Sequence, residues 1–141
     1  MPTSTEASGA KILIVDDQES NVRLLELALR RDGYAAISST TDSGAVCALH
    51  RENHFDMILL DLQMPRLNGF EVMEGLSRIE GVESAAVLVL SADPSQKKRA
   101  LEAGARGFLS KPFVLADVLL RIRLLLAKPA PAEVERPATL V

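Results

Sequence analysis

The chain has 141 residues, 48% hydrophobic and 25% charged, with 16 Lys+Arg against 19 Asp+Glu and a net charge of −3. That size fits one globular domain, and the acidic balance argues against direct nucleic-acid binding, which draws on a basic surplus. The longest unbroken apolar run, Ala85 to Leu90, is far short of the roughly 20 residues that span a bilayer, and no signal peptide is visible, so a cytoplasmic protein without membrane contact is expected.

Residues 1–10 are small and polar and read as a flexible leader. The first apolar run, Ile12-Leu13-Ile14-Val15, is followed by Asp16-Asp17. Consecutive aliphatic residues without alternation predict a strand covered on both faces. A helix is expected from about Ser20 to Arg31, with Val22, Leu25 and Leu29 on one stripe and Gly33 to end it. Tyr34 to Ser38 reads as a weaker strand. Ser43 to Asn53 reads as a short helix with Ala45, Ala48 and Leu49 inward, and with His50 and His54 facing solvent near its end. Cys47 is the lone cysteine, so no intramolecular disulfide is possible; a small buried hydrophobe in a reducing compartment is expected.

Met57-Ile58-Leu59-Leu60 forms the third apolar run, closed by Asp61. After a loop punctuated by Pro65, a helix from Gly69 to Ile79 carries Phe70, Met73 and Leu76 at helical spacing. Val87 to Leu90 is the fourth strand, ending in Ser91-Ala92-Asp93. Pro94 opens a helix that stops at Gly104 and whose Lys97-Lys98-Arg99 run reads as a solvated face, as does Arg30-Arg31. Gly107 to Ser110 is a short fifth strand, followed by Lys111-Pro112. The last helix, Val114 to Ala127, buries Leu115, Val118, Leu119, Ile122 and Leu126; Leu120 and Leu124 fall on the opposite side beside Asp117. Residues 128–141 hold three prolines and read as a Pro/Ala-rich tail or the start of a linker.

Five strands alternating with five helices imply right-handed βαβ crossovers and a doubly wound α/β parallel sheet. Asp16, Asp17, Asp61, Ser91 and Lys111 follow strands one, three, four and five at the same sheet edge, where ligands of such sheets sit. Crowded carboxylates repel, and a hard cation such as Mg2+ relieves that repulsion. A metal, a carboxylate nucleophile, an ammonium and a hydroxyl together suit a phosphoryl group.

At these residues the sequence resembles the receiver domain of bacterial two-component response regulators. The matching segments are KILIVDD (11–17), MILLDLQMPRLNG (57–69), VLVLSA (87–92) and GFLSKPF (107–113), within a receiver domain spanning 11–127. The resemblance implies a flavodoxin-like fold with strand order 2-1-3-4-5. It implies that Asp61 accepts a phosphoryl group from a phosphohistidine on a sensor histidine kinase or phosphotransfer protein. It further implies Mg2+, with Mn2+ as a substitute, held by Asp16, Asp17, Asp61 and the backbone carbonyl of Gln63. Ser91 and Lys111 match residues that contact phosphoryl oxygens, and Phe108 matches a switch aromatic that turns inward when the hydroxyl residue moves toward the phosphate. Gln63 and Asp93 match positions that tune the lifetime of the acyl phosphate, and the Lys111-Pro112 bond is often cis in the family. Ser91 stands where Thr is commoner and Phe108 where Tyr is frequent. The expected partners are the phosphodonor, a downstream target or output domain, and a second copy meeting through the helix 4/strand 5/helix 5 face. The expected activity is self-modification, not an enzyme acting on an external substrate, in either a stand-alone regulator or the receiver piece of a longer protein. A pseudo-receiver serving only as an interaction module is the alternative. A flavin or nucleotide binder of like topology is disfavoured because the acidic Asp-Asp-Gln-Glu-Ser loop would repel a phosphate without a metal.

Overall fold

The structure is a computed structural model and describes residues 9–79 and 85–127. The tail at 128–141 and all but the last two residues of the leader lie outside the described residues. Five strands, β1 (Lys11–Val15), β2 (Ala36–Thr40), β3 (Met57–Asp61), β4 (Ala86–Ser91) and β5 (Gly107–Ser110), form one sheet in the order β2-β1-β3-β4-β5. All four pairings are parallel. The connecting helices are α1 (Glu19–Arg31), α2 (Val46–Asn53), α3 (Gly69–Ser77), α4 (Lys97–Glu102) and α5 (Leu115–Ala127). No helix among the described residues is long and apolar enough to cross a membrane.

The unbroken apolar runs have the expected cause. Side chains of a strand alternate between faces, so a run without polar interruption needs cover on both. Leu13, Ile58, Leu60, Val87 and Val89 meet Val46, Val72, Met73 and Ala100 from α2, α3 and α4. Ile12, Ile14, Met57, Leu59, Leu88 and Leu90 meet Val22, Leu25 and Leu29 of α1 and Val118 and Ile122 of α5. Each such buried aliphatic side chain contributes about 1.5–3 kcal/mol relative to leaving it in water. The edge strand β2 has no fully buried residue, which is why its pattern is the weakest in the sequence.

Several boundaries differ from the sequence reading for local reasons. Tyr34 is a buried core residue but not a strand residue: its N–H bonds the carbonyl of Leu29, so it finishes the exit of α1, and β2 starts two residues later. Gly33 supplies the positive φ of 103° that this exit requires. α2 is preceded by a 3₁₀ turn at Ser43–Ala45 capped by Asp42, and α4 by one at Pro94–Gln96 capped by Asp93. In α2 the fully buried positions are Val46 and His50, while Ala48 is exposed and Leu49 only partly buried. In α3 they are Gly69, Val72 and Met73, with Phe70 and Leu76 partly buried.

His50 departs most from expectation. Its side chain is 3% exposed and not solvated. Its Nδ1 accepts the backbone N–H of Phe55 at 3.1 Å and its ring stacks on Phe55. His54 remains exposed and holds the left-handed φ of 55° that ends α2 without a glycine. Burial, and secondarily the neighbouring His54, lower the His50 pKa below its ordinary value. The unfolded imidazole gains a proton near pH 6.5 and the folded one only at lower pH. The unfolded state thus binds more protons below about pH 6.5, and stability falls as pH drops through that range. Thermal unfolding followed from pH 7.5 to 5.5 should show a smaller acid loss in His50→Gln, whose side-chain oxygen can accept the Phe55 N–H without titrating.

Candidate functional site

Registry of the strands brings the polar residues together. Val15 pairs with Leu60, Asp61 with Leu90, and Ser91 with Ser110, so β1, β3, β4 and β5 end at one edge. Asp16 follows β1, Asp61 ends β3, and Ser91 ends β4. The backbone N–H of Lys111 bonds the carbonyl of Ser91 at 2.8 Å, fixing the start of the last loop against β4. The Lys111-Pro112 peptide bond is cis.

Carboxylate oxygens of Asp16, Asp17 and Asp61 lie within 4.8 Å of one another. Asp16 is 1% exposed and Asp61 5%, while Asp17 is open to solvent. Asp16 does not cap α1: its Oδ1 accepts the N–H of Gln18 at 2.9 Å, and its Oδ2 accepts from Asn21 Nδ2 at 3.3 Å and Lys111 Nζ at 3.2 Å. Gln18, the N-cap of that helix, makes no side-chain cap bond. Lys111 also stands 3.5 Å from Asp61 Oδ2. Gln63 donates its backbone N–H to Asp61 Oδ1 at 3.1 Å. Asp16 and Asp61 thus share one ammonium, with Asp17 a third carboxylate beside them.

This imbalance is visible at Asp61. Burial raises its pKa; the Gln63 N–H and Lys111 pull it down, and Asp16 and Asp17 push it up again. The three carboxylates are hard oxygen donors with surplus negative charge, which fits a divalent hard cation. Gly69 sets the wall behind Asp61. A Cβ at Gly69 would lie 2.8 Å from Leu62 Cα and 3.3 Å from the Asp61 carbonyl oxygen. Its N–H bonds the Leu62 carbonyl at 2.9 Å, and Asn68 with Glu71 forms a capping box at the same corner.

Ser91 is fully buried. Its Oγ accepts the Asp93 N–H and donates to Gln96 Oε1, each at 3.1 Å. Asp93 Oδ1 in turn accepts from Ser95 N at 3.0 Å and Ser95 Oγ at 2.6 Å, so its carboxylate is tied into the turn that opens α4. Phe108 is buried among the residues on the α2–α4 side. With no phenolic hydroxyl, an inward ring leaves no polar atom without a partner. The sequence reading overlooked Asn21 and Gln96, both five residues past a site residue on the following helix or turn. The Lys97-Lys98-Arg99 run is exposed as expected, but Arg99 also stacks over the Phe70 ring, 3.8 Å from its centroid.

The family model for the response regulator receiver domain matches residues 12–123. The chain belongs to the response regulator receiver domain family. That membership makes it a phosphorylation-controlled module of two-component signalling. The receiver is 38% identical over 129 residues to the transcriptional regulatory protein KdpE of Mycobacterium tuberculosis, covering 89% of this chain and 55% of that protein. It is 33% identical to the alkaline phosphatase synthesis transcriptional regulatory protein PhoP of Bacillus subtilis, covering 92% of this chain and 52% of that protein. The chain therefore spans about half the length of the curated relatives it matches. Among solved structures, the receiver resembles the chemotaxis protein CheY4 of Vibrio cholerae (TM-score 0.75, 28% identity, 82% of this chain and 98% of that one). It also resembles the receiver domain of a sensor histidine kinase from Pseudomonas aeruginosa, solved with magnesium in its active-site cleft (TM-score 0.77, 26% identity, 85% and 99%).

The raised pKa of Asp61 carries a stability consequence. A buried carboxyl that ionises above its ordinary range in the folded protein is least costly when protonated, so its contribution improves as pH falls and its charge destabilises the fold at neutral pH. Asp61→Asn should therefore raise the melting temperature at pH 7.5 in chelator, with roughly 3–6 °C expected for each kcal/mol relieved. Differential scanning calorimetry checks this, and millimolar Mg2+ should stabilise the unsubstituted protein more than the variant.

Proposed function

We propose that Asp61 is the phosphoacceptor of this receiver and that Asp16, Asp17, Asp61 and the backbone carbonyl of Gln63 hold Mg2+. The observation that carries the reading is the gathering of three carboxylates within 4.8 Å around an acceptor that Lys111 reaches at 3.5 Å. The magnesium-bearing cleft of the Pseudomonas receiver supports the metal, and Mn2+ offers similar oxygen-preferring octahedral chemistry.

A carboxylate oxygen of Asp61 attacks the phosphorus of a phosphohistidine on a sensor kinase or phosphotransfer protein. A P–O bond forms and the P–N bond breaks. The bonding pair leaves with the imidazole, which then takes up a proton. When bound, the cation neutralises phosphoryl oxygens and the carboxylates around them. Lys111 meets the remaining anionic charge, and Ser91 donates a hydrogen bond to a phosphoryl oxygen. Water later cleaves the acyl phosphate, with Gln63 and Asp93 at its flanks setting the rate. Because the acceptor is the protein's own carboxylate, the reaction is self-modification.

Satisfying the new oxygens shifts the population between two arrangements of one fold. Ser91 and Phe108 transmit that shift to the face of α4, β5 and α5, where a target, an output domain or a second copy reads it. Leu120 and Leu124, 51% and 57% exposed on α5, supply apolar contact there.

Incubation with acetyl phosphate and Mg2+, followed by intact mass, should show one added phosphoryl group. It should be absent in Asp61→Asn and in chelator. No adduct on the unsubstituted protein would favour the pseudo-receiver reading. Leu120→Glu combined with Leu124→Glu should abolish phosphorylation-dependent association, measured by sedimentation velocity, while leaving labelling intact.

A further inference from the structure

A hydroxyl carries one proton and two lone pairs. In this structure the Ser91 proton is already committed to Gln96 Oε1 at 3.1 Å, and one lone pair accepts the Asp93 N–H at 3.1 Å. Gln96 closes the 3₁₀ turn Pro94–Gln96 and leads directly into α4. The same turn is fixed at its other end by the Asp93 carboxylate on Ser95. Ser91 itself is fully buried at the end of β4, so water cannot readily replace a lost partner.

We propose that Gln96 is a positioning residue that holds the Ser91 hydroxyl in the unmodified state and competes with the phosphoryl group for its proton. The inference rests on the reading of Asp61 and Ser91 given above. A single proton cannot serve Gln96 Oε1 and a phosphoryl oxygen together. Engagement of Ser91 by the modified site therefore frees the Gln96 amide, and with it the side-chain tether between the end of β4 and the start of α4. Phe108 is buried already, so the aromatic position need not change before the hydroxyl does. The step that modification drives is then exchange of the Ser91 partner. Arg99, three residues further on, stacks on Phe70 and is not among the hydrogen-bond partners of the Ser91 hydroxyl.

The test uses the full chain and beryllium trifluoride, a tetrahedral phosphoryl stand-in, titrated calorimetrically at fixed saturating Mg2+. Gln96→Met keeps the length of the side chain and removes the strong acceptor; Gln96→Ala is a second variant on this partly exposed turn, should the first misfold. Release of one competing hydrogen bond should tighten binding roughly threefold to tenfold. In a Ser91→Ala background the same substitution should have no effect, because the hydroxyl it acts through is gone. Arg99→Ala should leave affinity unchanged in either background. Unchanged affinity in both Gln96 variants overturns the proposal, as does equal tightening without Ser91 or equal tightening by Arg99→Ala, since both would report loosened packing of α4. Failure of the unsubstituted protein to bind the probe overturns the underlying phosphoacceptor reading as well. Binding by the unsubstituted protein with no response to Gln96 overturns this inference alone.

Discussion

Electrostatic repulsion among three carboxylates at one edge of the sheet is the constraint around which this structure is organised. Asp16 and Asp61 are almost without solvent, so their charges are screened by protein groups: one lysine, one asparagine amide and two backbone N–H groups. Such an arrangement survives only because the flanking strands are locked by burial on both faces. The apolar runs of β1, β3 and β4 supply that lock and leave the loops at their ends to carry the unfavourable charge. Stability made in the core is used to hold together groups that would separate if free.

The same tension explains why the site is responsive. A divalent cation held there would offset the surplus negative charge, and every group bonded to the carboxylates would feel the change. Lys111 bridges Asp16 and Asp61 while its backbone grips Ser91. A change at Asp61 therefore has a short mechanical path to β4 and β5, with no distant relay required.

The sequence made the sheet legible because unbroken aliphatic runs allow few alternatives, and the site legible because parallel topology forces the residues after those runs to one edge. Asp61, Ser91 and Lys111 could be placed together from that argument alone. Helical faces were less legible. His50, a polar residue near the end of α2, reads as solvated, and only its contacts with Phe55 reveal that it lies in the core. Tyr34 has strand-like chemistry but spends its N–H on the helix before it, so β2 starts later than its residue types suggest. Gln96 is silent in the sequence for a different reason: a glutamine in a surface turn carries no pattern, and only the side-chain contact with Ser91 distinguishes it.

The glycine at the corner between β3 and α3 has a mechanical corollary. Position 69 tolerates nothing larger than a hydrogen against Leu62 and the Asp61 carbonyl, and the capping box welds the helix start to the same spot. That flank of the acidic cup is closed by backbone against backbone. At the turn before α4 the fastening is of another kind, made by individual side chains. The two turns that follow β3 and β4 are therefore built differently, the first by backbone packed against backbone and the second by side-chain bonds among Ser91, Asp93, Ser95 and Gln96.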